Sequence, residues 1–482
     1  GDRMLLLSCH RVRSYFLTAE AAAMILGDIF ERFAQESPLT VMAQGVLENA
    51  LNPAVVDRLF EEVAEVQYTR KLLFSSVVDL MSTVVCRIKP AIHSAYKARA
   101  ATVGVSIKAV YDKLDRIEPA ISEALVAITA RRLEPVIDAM GGAREPLLPG
   151  YRVRILDGNH LASTEHRIEE LRILRAGALP GQALVVFDPR TMLVTDVITC
   201  EDGHAQERSL FGRVLPLVEA RDVWVDDRNF CTTDFLFGIA ARGAFFVTRQ
   251  HASNLHWKFA GKRRRRGRIE TGEVFEQTIE AHNDAGEVLI LRRITVELDK
   301  PTRDGDREIH IVTNLPRRDA PAKRIAELYR LRWTIETAFA ELAATLNGEV
   351  EALGYPKAAL FAFCVALAAY NVLSTVKAAL RAVHGEERVE REVSAYYVAE
   401  EVQMTHRGMM IAIPEDEWVV FQEMAPRELG AVLVELAASV RMAEYRKSTR
   451  GPKKPPPEKE SGAKTKHVAT AKILAARKTC TT

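Results

Sequence analysis

The feature that most constrains the fold is a change of hydrophobic spacing along the chain. Up to about Gly142 apolar residues recur every three or four positions, which predicts amphipathic helices. After the Pro and Gly breakers at 146–150, short β-branched runs separated by turns predict strands. Helical spacing returns after Asp319. The runs that predict strands are 152–156, 183–187, 192–198, 223–225, 244–248, 273–280, 288–298 and 308–313.

Length and composition restrict the class of protein. A chain of 482 residues allows about three domains. With 48% hydrophobic and 27% charged residues, it is globular, which excludes collagen, coiled-coil rods and wholesale disorder. The six cysteines are scattered without a C-x-x-C pair, which argues against a disulfide framework or a cysteine-ligated zinc site and favours a reducing compartment.

The charge is unevenly distributed. The net charge is +2, yet the segment from Arg446 carries 11 Lys or Arg against 2 Glu. This basic, proline-containing tail, 446–482, is predicted to be largely disordered, and it suggests either a polyanionic partner or a solubilising role.

Neither a secretory segment nor a membrane span is predicted. The apolar run 358–370 is shorter than the ~20 residues that a span needs, so we expect a buried helix and no membrane partner. No secretory hydrophobic segment follows the start. The chain opens with Gly1 rather than Met, so an incomplete N-terminus stays an open alternative.

A polar group lies along one side of the helix predicted to run from Asp319 to about Gly348. At 3.6 residues per turn, Tyr329, Arg332 and Glu336 fall on one side of it. An adjoining apolar stripe indicates that this side is the rim of a buried face; it contains Leu331, Ile335, Phe339, Leu342 and Leu346. A carboxylate beside an arginine here is either a structural ion pair or part of a phosphate-handling site.

Two further acids follow predicted strands. Asp157 ends the run 152–156, and Asp226 with Asp227 ends the run 223–225. Acids at two strand ends plus one on a covering helix would supply the hard oxygen ligands that Mg²⁺ prefers. Two such ions can promote an in-line phosphoryl displacement. Each aspartate alone is equally a common turn residue, and the strand period does not choose between Asp226 and Asp227.

Together these motifs resemble a known family. Tyr329, Arg332 and Glu336 match the Y-x2-R-x3-E-x6-K signature of bacterial insertion-sequence transposases of the DDE class, whereas Ala343 stands at the lysine position. The segments 156–159 and 225–230 resemble the two aspartate motifs of that family, and the second favours Asp227 over Asp226. The resemblance covers about 151–373.

The resemblance implies an α+β (mixed α/β) fold with a ribonuclease H-like catalytic core. A β-rich insertion would interrupt the core, and helical regions would flank it on both sides. The expected segments are a helical, possibly DNA-binding N-terminal domain 1–147, the first core part 148–243, the insertion 244–316, the second core part 317–378, a helical C-terminal region 379–445 and the tail 446–482.

The resemblance also implies a metal-dependent chemistry on DNA. Asp157, Asp227 and Glu336 would hold two Mg²⁺ or Mn²⁺ ions, with Tyr329 and Arg332 at a phosphate. The enzyme would cleave transposon ends and transfer strands. Its partners would be double-stranded DNA, namely inverted repeats and target, and a second copy in a synaptic dimer in the bacterial cytoplasm at the nucleoid. The alternatives are a ribonuclease H-like nuclease without strand transfer and an inactive, transposase-derived DNA-binding protein.

Several further residues are candidates for DNA contact. A basic run within the insertion suits a phosphate backbone or is a solvated loop; it comprises Lys262, Arg263, Arg264, Arg265, Arg266 and Arg268. Trp257 would stack on an unpaired base or is an ordinary core residue.

The N-terminal region contains a weak helix-turn-helix pattern. It consists of Ala100, Gly104, Ser106, Lys108 and Val110. In this pattern Ala100 would pack at the helix crossing, and Ser106, Lys108 and Tyr111 would face DNA.

Near the acids, His160, His166 and His204 are expected to be structural or to support the metal ligands without binding the metal.

Overall fold

The structure of the protein is a computed structural model. The model describes residues 28–69, 71–161, 177–251, 253–302, 305–350, 353–448 and 467–480. His166 and tail residues 449–466 lie outside the described residues.

The N-terminal region is helical, as the three- and four-residue spacing predicted. Asn52 caps one helix by accepting a hydrogen bond from the backbone N–H of Ala54. Gly141 ends the longest of them in the left-handed conformation, with φ of +68°. The helices are α1 Asp28–Glu36, α2 Pro38–Ala50, α3 Pro53–Val63, α4 Phe74–Val85, α5 Ile92–Val103, α6 Ile107–Leu114 and α7 Pro119–Met140.

A large mixed sheet follows. All eight predicted strands are present, and the predicted hairpin is the antiparallel pair of the third and fourth strands. The strands are β1 Arg152–His160, β2 Gly177–Leu179, β3 Gln182–Asp188, β4 Leu193–Cys200, β5 Asp222–Asp226, β6 Phe245–Arg249, β7 Trp257–Phe259, β8 Arg264–Ile269, β9 Gly272–His282, β10 Val288–Leu298 and β11 Glu308–Thr313. Between β4 and β6 lie α8 Phe211–Val214 and α9 Thr233–Ala241.

The β-rich block continues the core sheet. The strand order is β4-β3-β1-β5-β6-β11-β10-β9-β7, with β8 paired to β9. Only β1 with β5 and β5 with β6 are parallel within this sheet, among the described strands. Strand β6, the first strand of the predicted insertion, pairs both with β5 of the core and with β11, so the predicted insertion and the core share one hydrogen-bonded sheet. Sequence spacing missed β7 and β8 because the first is short and the second is mostly arginine.

The helices after the sheet cover one of its faces. They are α10 Ala322–Leu331, α11 Trp333–Thr345 and α12 Pro356–His384. Ile155, Val185 and Val225 share a core cluster with α10, α11 and α12. On the opposite face, Leu156 and Trp224 pack with α9. Because successive strand residues point to opposite faces, odd-numbered positions of β1, β3 and β5 face α10 and α11.

Helix α12 confirms the prediction of a buried apolar helix. Among the described residues it is the one helix long and apolar enough to span a membrane, yet its most apolar stretch is 94% buried within the protein. Its interior Asn371 is fully paired, since its side-chain amide donates to the carbonyl of Val194 and accepts from the N–H of Val194. It is therefore a core helix that packs against β4.

The C-terminal region is helical, but the prediction of a largely disordered tail is wrong for 467–480. After α13 Glu386–Glu392, α14 Ala395–Ala412, α15 Glu415–Glu423 and α16 Pro426–Ala438, the chain forms β12 His467–Ala469 and α17 Thr470–Cys480. Strand β12 pairs in parallel with β2, and Lys472 lies 3.3 Å from Asp202. Composition missed this segment because backbone pairing with a distant strand stabilises it.

Candidate active site

Asp157 is held at the centre of the sheet. It lies opposite Val185 of β3, so its side chain faces α10 and α11. One carboxylate oxygen accepts the N–H of Gly158 at 2.9 Å, and the other accepts Nη1 of Arg332 at 2.9 Å. Burial raises the pKa of Asp157 to about 6; Arg332 opposes this shift, whereas Glu336 and Asp227 add to it.

Glu207 is an acid that sequence reasoning did not single out, and it lies beside Gly158 on the face of the sheet opposite to the Asp157 side chain. A Cβ at Gly158 would lie 2.0 Å from Oε1 of Glu207, so the glycine gives this carboxylate room to approach. Glu207 also accepts a hydrogen bond from Asn229 at 3.3 Å. No motif marks Glu207, because it lies on a short turn between strands.

Asp227 lies on the same face of the sheet as Asp157. It follows β5 with extended backbone, φ of −87° and ψ of 176°, so strand alternation carries over from Val225. Its Oδ1 accepts the hydroxyl of Tyr329 at 3.2 Å. Burial raises the pKa of Tyr329 above its ordinary value, and Asp227 raises it further.

Asp226 points through the sheet to the other face. It lies opposite Thr248 of β6 and is fully buried. Among the described residues, its carboxylate oxygens make no hydrogen bond of ordinary geometry, although the Thr248 hydroxyl lies close enough to oppose the rise in the pKa of Asp226. Burial raises the pKa of Asp226 well above its ordinary value, which favours a neutral acid.

Arg332 interrupts the helix that was predicted as continuous. Helices α10 and α11 meet at this residue, where the N–H of Arg332 bonds to Tyr329 and the N–H of Ile335 bonds to Arg332, each three residues back. Tyr329, Arg332 and Glu336 nevertheless lie on one side of these two helices, as the spacing predicted, where they contact Asp227, Asp157 and one another. Tyr329 is buried rather than on a rim.

The Arg332 guanidinium bridges two of the three acids. Nη1 donates to Asp157 at 2.9 Å, and Nη2 donates to Glu336 at 2.7 Å. Arg332 is 9% exposed, Asp157 18% and Glu336 53% by side chain. Burial alone would lower the pKa of Arg332, but these carboxylates, with Tyr329 and Asp227, raise it.

The donor set suits a divalent metal ion, although the acids are not gathered around one point. Among the described residues, no group of three or more His, Cys, Asp or Glu is placed to hold a metal. Nevertheless, Asp157, Asp227 and Glu336 supply hard carboxylate oxygens. The three carboxylates therefore have the ligand chemistry that a divalent metal ion prefers, and the Arg332 guanidinium lies between Asp157 and Glu336.

A cation approaches the position where the signature has lysine. Nη2 of Arg87 lies 3.1 Å from the carbonyl oxygens of Ala343 and Leu346, at the end of α11. Arg87 therefore caps this helix end, where a positive charge is favourable.

The basic run is largely neutralised by carboxylates of the sheet. Arg263 pairs with Glu297, Arg265 and Arg268 with Glu273, and Arg266 with the buried Glu276. Among the described residues, Lys262 and Arg264 have no carboxylate within ion-pair distance and are exposed. Most of these arginines thus hold β8 in place.

Trp257 is half-buried on the edge strand β7. Its ring lies edge-on to that of Phe259, with centroids 4.7 Å apart, and 5.4 Å from the guanidinium of Arg293. It packs beside the core cluster on the α9 face, and base stacking by Trp257 stays a prediction.

The helix-turn-helix pattern has the predicted local shape. Gly104 ends α5 with φ of +66°, Ser106 caps α6 by accepting the N–H of Ala109, and Val110 is fully buried. The role given to Ala100 is wrong, since Ala100 is exposed. A kink at Arg99 (φ −126°) shifts the phase of α5. Lys108 is exposed, and DNA contact stays a prediction.

The two described histidines near the acids lie on the surface. His160 is the exposed last residue of β1, and His204 is exposed in the turn after β4. In the part of the chain that the structure describes, neither bonds to the three acids, so a structural role stays an expectation.

Comparison with known proteins agrees with this geometry. Residues 148–372 match the family described as a transposase DDE domain. A putative transposase, y4zB, from Sinorhizobium fredii is 32% identical over 172 residues, which is 34% of this chain and 44% of that protein. The transposase of insertion sequence IS421 from Escherichia coli is 25% identical over 231 residues, which is 41% of this chain and 58% of that protein. The chain spans about half the length of these curated relatives.

One solved structure is also similar. It is the cryo-EM structure of the piggyBac transposase synaptic complex with hairpin DNA, with a TM-score of 0.36 and 10% identity over 80% of this chain and 87% of that chain. A TM-score this low carries no weight beside the sequence match.

The matched region and the mixed sheet flanked by helices define a DDE domain with the α+β, ribonuclease H-like architecture that was predicted. This region is similar to the DDE transposases of bacterial insertion sequences, which confirms the resemblance of the Y-R-E signature.

Proposed function

We propose that this protein is a DNA transposase that cleaves transposon ends and transfers strands by a metal-dependent DDE mechanism. One observation carries the proposal. Asp157, within β1, and Asp227, directly after the adjacent parallel strand β5, lie on one face of the sheet, and Arg332 links Glu336 to Asp157. In this family-matched domain, these three acids are the proposed metal ligands.

Each side chain of the site would have a separate role in the reaction. When bound by Asp157, Asp227 and Glu336, two Mg²⁺ or Mn²⁺ ions would activate the attacking oxygen and stabilise charge on the phosphate. Arg332 can form a bidentate bond to a phosphate, and Tyr329 orients Asp227 through its hydroxyl. Glu336 is half-exposed, so DNA can reach this side of the site.

The proposed partners are double-stranded DNA and a second copy of the chain. Inverted repeats and target would bind on the side of the sheet that bears Glu336, with Lys262 and Arg264 as exposed phosphate contacts and the α5–α6 pair as a further candidate. Acting on two ends requires two sites, which supports a synaptic homodimer. The proposed location is the bacterial cytoplasm, at the nucleoid.

A cleavage assay tests the proposal. The substrate is a duplex carrying the inverted repeats that flank the reading frame, with Mg²⁺ present. We expect Glu336→Gln to lose about 100-fold or more of the cleavage rate, since a charged ligand at the phosphate is lost. Glu327→Gln is the matched control, because Glu327 lies on α10 and pairs with Arg324. Equal cleavage by wild type and Glu336→Gln would contradict the proposal.

Strand joining separates the alternatives. Cleavage without joining would indicate a nuclease. The departure at Ala343 favours, as a second candidate, a DNA-binding derivative that has lost its chemistry. Specific binding of the repeats with no metal binding would support that reading.

A further inference from the structure

We infer that Arg332 is an internal cation that holds the metal-free site together, and that a divalent metal ion competes with it for Asp157 and Glu336. The inference rests on the proposed function, because it assigns these carboxylates to a metal. It explains why the three acids are neighbours and yet do not surround a common point.

The contacts of Arg332 carry the first step. Its two terminal nitrogens each donate to a different carboxylate, at 2.9 Å and 2.7 Å, from a side chain that is nine-tenths buried. A guanidinium placed between two carboxylates fills the position where a bridging cation would lie. Among the described residues, Nε of Arg332 has no partner, so the group still has an unused donor.

Charge carries the second step. Asp157, Asp227 and Glu336 together bring three negative charges when ionised, and Arg332 compensates one of them. In a partly buried site, like charges a few ångströms apart repel each other more strongly than they do in water. The arginine therefore opposes a second cation by repulsion as well as by occupying carboxylate oxygens.

Mg²⁺ requires near-ideal octahedral geometry with oxygens at about 2.0–2.1 Å, which leaves little room for a guanidinium on the same oxygens. Arg332 must then move, and it lies at the junction of α10 and α11, where the hydrogen bonds change register. Once released, its fork of donors is available to a phosphate. Metal loading and phosphate recognition are thereby coupled, and such coupling is reciprocal.

Calorimetric titration of Mn²⁺ into the full chain, without DNA, tests the inference. We expect Arg332→Gln to bind Mn²⁺ at least about tenfold more tightly than wild type, because the competing cation is gone. Arg330→Gln is the matched control, since Arg330 is on the same helix and pairs with Glu270 at the surface. It should bind Mn²⁺ as wild type does.

The outcomes separate this inference from the proposed function. Absence of Mn²⁺ binding in both wild type and Arg332→Gln would contradict the proposed metal site itself. Binding by Arg332→Gln that is equal to or weaker than wild type would overturn the competition alone. If Arg332→Gln fails to fold, Arg332→Met decides. It removes the charge and the donors while keeping a long side chain, so it should bind Mn²⁺ more tightly than wild type, and equal or weaker binding would overturn the inference.

Discussion

Asp226 and Asp227 are adjacent in sequence but lie on opposite faces of the central sheet. Asp227 accepts a hydrogen bond from Tyr329 on the α10 side, whereas Asp226 is fully buried opposite Thr248. We therefore expect Asp227→Asn to lose about 100-fold or more of DNA cleavage, because a proposed metal ligand is removed.

Asp226→Asn is the matched variant for this prediction. It should retain cleavage within about tenfold of wild type and be at least as stable at pH 7, since a buried acid with a raised pKa is replaced by a neutral isostere. Single-turnover cleavage and thermal unfolding measure the two effects. The reverse pattern, with Asp226→Asn inactive and Asp227→Asn active, would show that the assignment is wrong.

We expect the basic run to divide into cations that contact DNA and cations that stabilise the fold. Lys262 and Arg264 lack a carboxylate partner among the described residues. Replacing both by Ala should therefore reduce the slope of log Kd against log salt concentration, measured for DNA binding, by roughly two. Arg266→Ala should instead destabilise the fold, because it leaves the buried Glu276 with fewer partners. Fluorescence anisotropy over a salt series measures the slope, and an unchanged slope in the double variant would refute the division.

The C-terminal segment is expected to stabilise the core. Strand β12 pairs with residues 177–179, and Lys472 pairs with Asp202. Deleting 467–480 should increase hydrogen exchange at the backbone amides of Ala178 and Leu179 and lower the melting temperature by a few degrees, since about 1 kcal/mol shifts it by about 2–4 °C in a domain of about 150–250 residues. Lys472→Gln, which removes one exposed ion pair, should change either measurement little. Unchanged exchange after the deletion would contradict the pairing.

His406 is expected to make stability depend on pH. Burial, together with the nearby charge of Arg99, lowers the pKa of His406 to about 4, and its ring nitrogen Nε2 bonds to the Gln44 side chain. Between pH 6.5 and 4 the unfolded chain binds a proton that the folded chain does not, so the free energy of unfolding falls as pH falls through this window. For two to three pKa units the loss is roughly 3 kcal/mol. Denaturant unfolding of His406→Asn should show a shallower fall than wild type, and parallel curves would exclude this role.

The sequence was sufficient for local patterns and insufficient for pairings between distant segments. Period-two and period-3.6 spacing located the main strands and helices, and Tyr329, Arg332 and Glu336 were predicted together because one helix carries them. Glu207 was not predicted, since its approach to Gly158 depends on tertiary packing. The strand β12 was missed for the same reason, because its partner lies almost 300 residues away. The exposure of Ala100 follows from a kink at Arg99 that spacing does not reveal.

The central claim is that positions 157, 227 and 336 share a bound metal ion, and iron-directed cleavage of the polypeptide tests it most directly. Fe²⁺ substituted for Mg²⁺, with ascorbate and peroxide, cuts the backbone close to where the ion is bound, and mass spectrometry locates the cuts. We predict cuts near all three positions, suppressed together by excess Mg²⁺. Cuts confined to one of these positions, or scattered cuts that Mg²⁺ does not suppress, would contradict the claim.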